Sequence, residues 1–176
     1  MFKTLSYGAI LLGPLTYFIV RYTETINMIS YCGIIMCLVM GVLGTSRGMS
    51  SISNYVSGIC IETPRVGTKS LLGTAICEAG LIGTILHCII LFNKMRVMEA
   101  NYSNNWLVMC SGVIVGAAYL ISNTAVGIIC GAIGMVDAKN EKMFFKVVIF
   151  EFLPASVGII GLVAGIVLIS KVPSQI

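Results

Sequence analysis

Charged side chains are scarce in this sequence of 176 residues. Only 10% of the residues are Asp, Glu, Lys or Arg, against about 25% in a typical soluble domain, and 57% are hydrophobic. Five stretches hold almost no charge, and the loops between them are at most ten residues long. These loops leave no room for a catalytic domain. The sequence therefore predicts an integral membrane protein and excludes the soluble enzyme classes.

The five stretches cover residues 4–20, 25–61, 70–93, 100–136 and 147–170. A bilayer core about 30 Å thick needs about 20 helical residues, so each stretch can cross the membrane once. We interpret the first as a retained helix and not a cleaved signal peptide, because Arg21 and Glu24 follow it instead of small residues. The predicted fold is all-α with five transmembrane helices. The distribution of Lys and Arg over the loops favours a cytoplasmic N-terminus.

Paired cysteines and clustered basic residues are also missing. The seven cysteines form no CxxC pair and all lie inside apolar stretches, which argues against a disulfide framework and against a metal site. No loop has more than two or three basic residues, which argues against binding of nucleic acid. We expect neither a metal nor another cofactor.

An internal repeat follows the first helix. The remaining stretches have lengths of 37, 24, 37 and 24 residues, as expected for two helical hairpins. Glu78 stands nine residues after Lys69, and Glu151 stands nine residues after Lys142. The predicted division is an extra helix over residues 1–24, a first hairpin over 25–99 and a second over 100–176.

Small residues recur every three or four positions in the long first helix of each hairpin. Helices in lipid associate through close approach at small side chains, so these two stripes predict tightly packed helices. The stripes are Gly33, Cys37, Gly41, Gly44 and Gly48 in one helix, and Gly112, Gly116, Gly127, Gly131 and Gly134 in the other.

Glu78 and Glu151 are the candidate functional residues. A charged carboxylate near the bilayer centre costs about 2.5–3.5 kcal/mol, and such residues usually serve a function. Each glutamate is expected near the middle of the membrane, protonated while it faces lipid and ionised only beside a cation or water. This is the behaviour of a proton carrier. The alternative is a permanently neutral acid that makes a hydrogen bond between helices.

Several polar or helix-bending residues are candidate neighbours of these carboxyl groups. Thr74 lies one turn before Glu78. Pro154 lies three residues after Glu151, where it removes a backbone donor and frees the carbonyl of Phe150. Three further polar residues are expected at the depth of Glu151 on the preceding helix, where they could form hydrogen bonds with it: Ser122, Asn123 and Thr124.

Two other polar residues inside the spans, His87 and Arg47, each allow more than one interpretation. His87 is either a relay for proton exit or a packed neutral histidine. Arg47 either pairs with a carboxylate or lines a polar interior, or else it reaches head groups or water along its own stem.

Four segments carry a resemblance to a known family. They are TPRVGTK at 63–69, ICE at 76–78, AVGI at 125–128 and GIIGLVAGI at 158–166. With the repeat and the two glutamates, the chain resembles the proteolipid subunits of the eukaryotic vacuolar-type proton ATPase, most closely the five-helix c-double-prime type.

The resemblance implies a proton-conducting subunit of the V0 rotor ring, turned by ATP hydrolysis in other subunits. It implies a ring shared with paralogous c-type proteolipids, a stator a subunit that supplies an arginine, further V0 subunits at the cytoplasmic loops, and surrounding membrane lipid. It also implies that Glu78 is the required carrier and Glu151 the less critical one. The expected location is a vacuole or another acidified endomembrane.

Two other classes compete with this interpretation. One is a non-transporting, tetraspan-like membrane scaffold, which would leave the paired glutamates without a role. The other is an independent small transporter that works as a homo-oligomer.

Overall fold

Four long helices make up most of the structure, a computed structural model that describes residues 28–98 and 101–173. They are α1 (Met28–Glu62), α2 (Arg65–Val97), α3 (Tyr102–Lys139) and α5 (Ile149–Ser170). Within the described residues, four helical segments are long and apolar enough to cross a membrane. The predicted all-α membrane class is confirmed. The predicted first helix lies outside the described residues, so the count of five stays a prediction.

Short connections fold the chain into two antiparallel hairpins. Thr63 and Pro64 separate α1 from α2, and the second hairpin is joined by a 3-10 turn (Glu141–Met143) and the short helix α4 (Phe144–Val147). Both of these connections lie at one end of the bundle, which we call the Arg65 end. The link from α2 to α3 lies at the opposite end, which we call the Tyr102 end.

Helices α1 and α3 run parallel and touch backbone to backbone. A methyl group added at Gly33 would overlap Met109, and one added at Gly127 would overlap the backbone of Gly48. The equivalent positions along the rest of the interface are also small, and Gly44 lies against Leu120. The predicted tight packing of the two glycine stripes is therefore confirmed.

Helix α3 is the central helix and packs against α1, α2 and α5. Glycines of α5 allow this approach, since Gly158 lies against Tyr119 and Gly165 lies against Val115. Large apolar side chains on α1, α2 and α5 remain exposed, among them Ile35, Leu71 and Ile160. The interior combines glycines and polar groups with buried apolar side chains such as Leu91 and Val115. The outer faces are apolar, as expected of helices that meet lipid or further subunits.

Candidate functional site

Glu78 lies on an exposed apolar face of α2. Leu71 and Ile82, which share this face with it at helical spacing, are 63% and 58% exposed. Within the part of the chain that the structure describes, the Glu78 carboxyl group has no hydrogen bond or ion pair. It is therefore an isolated acid on a surface that is otherwise apolar.

Glu151 is buried, in contrast. Its side chain is 2% exposed and lies between α2 and α3, where Oε1 packs against Gly73 beside the thiol of Cys130. That thiol donates to the carbonyl oxygen of Ser70 at 3.7 Å. Glu151 Oε1 itself has no hydrogen-bond partner in the described residues.

The two carboxyl groups are not at the same depth, although the repeat predicts matching places. Glu151 lies level with Gly73, five residues before Glu78 on α2, which is about 7.5 Å along a helix. The cause is the connection after α3. The 3-10 turn and α4 occupy residues 141–147, so α5 begins only at Ile149, whereas α2 begins at Arg65, well before Glu78.

The expected polar neighbours bind other groups. Ser122 Oγ donates to the carbonyl oxygen of Pro154 at 2.8 Å, and Asn123 Nδ2 donates to Thr45 Oγ1 at 2.9 Å. Thr124 Oγ1 donates to the carbonyl oxygen of Leu120 at 2.7 Å. None of the three forms a hydrogen bond to Glu151 in the described residues, where Glu151 lies closer to the Arg65 end, so their role as its neighbours stays a prediction.

The other two candidate neighbours of the glutamates are Thr74 and Pro154. Thr74 Oγ1 donates to the carbonyl oxygen of Leu71 at 2.8 Å, so its proton is already used on its own helix. Pro154 lies inside α5, and the helix continues past it to Ser170. Its missing N–H leaves the carbonyl of Phe150 without the usual helical donor.

An ion-pair cluster at the Arg65 end joins the two hairpins. Lys69 Nζ lies 2.8 Å from Asp137 Oδ1 and 3.3 Å from Glu141 Oε1. Arg65 Nη1 lies 2.7 Å from Glu141 Oε2, and Arg65 Nη2 donates to the carbonyl oxygen of Asp137 at 3.1 Å. The side chain of Asp137 is fully buried. This cluster fixes the start of α2 against the end of α3.

The sequence contains a signal for this cluster, although none of the predicted site residues belongs to it. Arg65 and Lys69 are four residues apart at the start of a helix, and so are Asp137 and Glu141 at the end of another and in the turn after it. The four-residue spacing places Arg65 and Lys69 on one side of α2, and the acidic pair has the opposite charge, which favours such a contact.

His87 is a packed histidine in a fixed tautomer. Ser111 Oγ donates its proton to the carbonyl oxygen of Gly165 at 2.8 Å, so it must accept the hydrogen bond that joins it to His87 Nε2 at 3.0 Å. Nε2 therefore carries the proton and Nδ1 does not. His87 is completely buried, and Nδ1 has no partner in the described residues. These contacts support the packed neutral histidine over the proton relay.

Arg47 is exposed on α1. In the described residues it takes part in no ion pair, and its neighbour Gly48 lies beside Cys77 Sγ. Arg47 thus stands near the depth of Glu78 without an ion pair to any carboxylate in residues 28–98 and 101–173. All seven cysteines are free thiols, and the described residues contain no group of His, Cys, Asp and Glu side chains arranged to hold a metal.

Taken together, the fold and the site define an all-helical membrane protein of repeated hairpins in which Glu78 is exposed and Glu151 is buried. The family model of the ATP synthase C subunit matches residues 109–168. The c''2 subunit of the V-type proton ATPase of Arabidopsis thaliana is 30% identical over 146 residues, covering 79% of this chain and 82% of that protein. The corresponding c'' protein of Saccharomyces cerevisiae is 27% identical over 146 residues, covering 79% and 68%.

The chain belongs to the proteolipid subunits of the V-type proton ATPases, of the c'' type. It is therefore a non-catalytic membrane subunit of a rotary, proton-transporting ATPase and part of a c-ring in the V0 sector. Because the chain belongs to this family, the two alternatives, a tetraspan-like scaffold and an independent small transporter, are set aside.

Proposed function

We propose that Glu78 carries the transported proton. The observation that supports this role is the exposed position of an isolated carboxyl group on an apolar face of α2. A carrier on a ring must meet lipid during most of a turn and a fixed partner during a short part of it. Only a side chain on the outer surface of the subunit meets both without a rearrangement of the helices.

The energetics of this face couple rotation to protonation. Moving an ionised carboxylate into hydrocarbon costs about 2.5–3.5 kcal/mol, whereas the protonated acid enters more easily. Glu78 would therefore accept a proton in a polar half-channel, turn through lipid as the neutral acid, and release the proton beside the arginine of the stator a subunit. A nearby cation favours the ionised form and so promotes release.

Glu151 stays a candidate carrier from the sequence, but its place in the fold limits it. Its side chain is enclosed by α2 and α3 and is 2% exposed, so a stator group could reach it only if these helices separated. We therefore assign the outward exchange of protons to Glu78 and give Glu151 a place inside the subunit.

The remaining faces suit a ring in an acidified endomembrane such as the vacuole. We expect paralogous proteolipids and lipid to cover the exposed apolar side chains. We expect other V0 subunits at the Arg65 end, which is the cytoplasmic side if the N-terminus is cytoplasmic. We also propose that residues 1–24 form an extra N-terminal transmembrane helix.

Substitution in the assembled complex tests the role of Glu78. Glu78→Gln keeps the size of the side chain and removes its titration. ATP-driven acidification of membrane vesicles should then fall to the background of vesicles without ATP. Glu62→Gln is the matched control, because Glu62 is an exposed glutamate at the end of α1. It should leave acidification unchanged. Normal acidification by assembled Glu78→Gln complexes would refute the proposal.

A further inference from the structure

A small cavity at the Arg65 end separates Glu151 from Asp137. Its volume is about 10 Å³, and both carboxyl side chains line it together with Lys69, Ser70 and other residues of α2, α3 and α4. Asp137 is fully buried and Glu151 is 2% exposed. Each has one carboxyl oxygen without a hydrogen bond in the described residues, Oδ2 of Asp137 and Oε1 of Glu151.

Two unpartnered acid oxygens at one cavity are unusual. A buried polar atom without a hydrogen bond costs about 1–3 kcal/mol, and more when it is charged. Arg65 Nε lies 4.0 Å from Asp137 Oδ2, which is too far for a hydrogen bond. The free acceptors therefore require a donor that the cavity can hold.

The size and charge of the cavity select that donor. A volume of about 10–15 Å³ holds one water molecule, provided that it finds two or more polar partners. A second cation would meet the ammonium group of Lys69, which lies 2.8 Å from Asp137 Oδ1 and also lines the cavity. An anion would meet two carboxyl groups. Only a small neutral molecule with two donor hydrogens satisfies both oxygens.

We propose that this cavity binds one water molecule that donates to Asp137 Oδ2 and Glu151 Oε1, and that this water exchanges the Glu151 proton with the Arg65 end. When Glu151 is protonated on Oε1, the hydrogen bond between Glu151 and the water reverses: Glu151 gives its proton to the water oxygen, and the water passes one of its own protons to Oδ2 of the Asp137 carboxylate. The water is regenerated, and no other reactant is used. The route is separate from the outer face of Glu78 and does not depend on the role of Glu78.

The groups around Asp137 and Glu151 support proton exchange toward the Arg65 end. Lys69 and Arg65 of α2 face Asp137 and also pair with Glu141 of the 3-10 turn. Glu141 is 58% exposed, so the cluster reaches solvent. On the other side, the thiols of Cys130 and Cys77 lie near Glu151. Protons therefore have a polar way out toward the Arg65 end.

Two measurements on the assembled membrane sector test the proposal. A high-resolution cryo-electron microscopy reconstruction should show one density within hydrogen-bond distance of both oxygens. An empty cavity, or a density that reaches only one of the two acids, would overturn it. This measurement needs no variant, so a folding defect cannot obscure it.

Infrared spectroscopy after transfer to D2O measures the exchange itself. The carboxyl band of protonated Glu151 is identified by its loss in Glu151→Gln, and its shift on deuteration gives the rate. Asp137→Asn should slow this rate at least tenfold. Glu141→Gln is the matched control, because Glu141 belongs to the same cluster but does not line the cavity, and it should leave the rate within twofold. Equal rates in Asp137→Asn and the unaltered protein would exclude the route through Asp137.

Discussion

Gly48 and Gly127 bring the backbones of α1 and α3 into direct contact. A Cβ atom on Gly127 would overlap the Cα and carbonyl atoms of Gly48, and one on Gly48 would overlap the carbonyl oxygen of Asn123. Neither obstacle is the end of a flexible side chain, so it cannot turn aside. The contact tolerates no side chain on either helix.

Gly127→Ala should therefore destabilise the subunit. Forcing a methyl group into a packed interface costs about 1–3 kcal/mol. Because the group opposite Gly127 is the rigid backbone of Gly48, we expect a cost at the upper end of this range. Thermal aggregation of the solubilised membrane sector should start at a lower temperature, and less of it should assemble. Gly58→Ala is the control, since no atom lies within 4 Å of an added Cβ there. Equal stability of the two variants would contradict the described packing.

A hydrophobic carbodiimide should distinguish the two glutamates. The reagent dissolves in lipid and reacts with protonated carboxyl groups, so it should modify exposed Glu78 in native membranes and leave Glu151, which is 2% exposed, unmodified. Mass spectrometry of the two peptides checks this. After denaturation, both should react at acidic pH, which shows that burial protects Glu151. Equal modification of both in native membranes would show that Glu151 reaches the surface.

Ser111→Ala should reduce stability without stopping transport. The change removes the acceptor of His87 Nε2–H and the donor to Gly165, and it leaves buried polar atoms unpaired at a cost of about 1–3 kcal/mol. Acidification per assembled complex should stay within twofold of the unaltered protein. Lost acidification at full stability would instead make His87 part of the proton path. Ser156→Ala serves as the control, because Ser156 Oγ only donates to Leu153 on its own helix.

The helices of the described region were predictable from charge alone. The stretches of low charge over 25–61, 70–93, 100–136 and 147–170 correspond to α1, α2, α3 and α5, and the ends differ mainly where charged residues extend a helix into the polar region. In a membrane this agreement has a physical cause. Backbone polar groups in hydrocarbon must be satisfied within the segment, so a long apolar stretch has almost no choice but to be a helix.

Which glutamate is exposed and which is buried was harder to predict, because both stand in long apolar helices. Glu151, Gly158 and Gly165 are spaced by seven residues and lie together on the buried face of α5. Glu78 instead follows Cys77 directly and falls just outside the buried face that Gly73, Cys77 and Gly80 form on α2. The spacing of each glutamate from the glycines of its own helix indicates whether it is buried, whereas its distance from the preceding lysine does not.

The contact between α1 and α3 also determines the order in which the chain can reach its native packing. About 80 residues separate Gly48 from Gly127, and synthesis at about 5–20 residues per second takes on the order of 4–16 s to bridge them. Throughout that interval Gly33, Gly44 and Gly48 of α1 lack their contacts with α3, and Thr45 Oγ1, which donates to Gly41 on its own helix, lacks the hydrogen bond that it accepts from Asn123. The first hairpin is therefore an incomplete product when it enters the membrane.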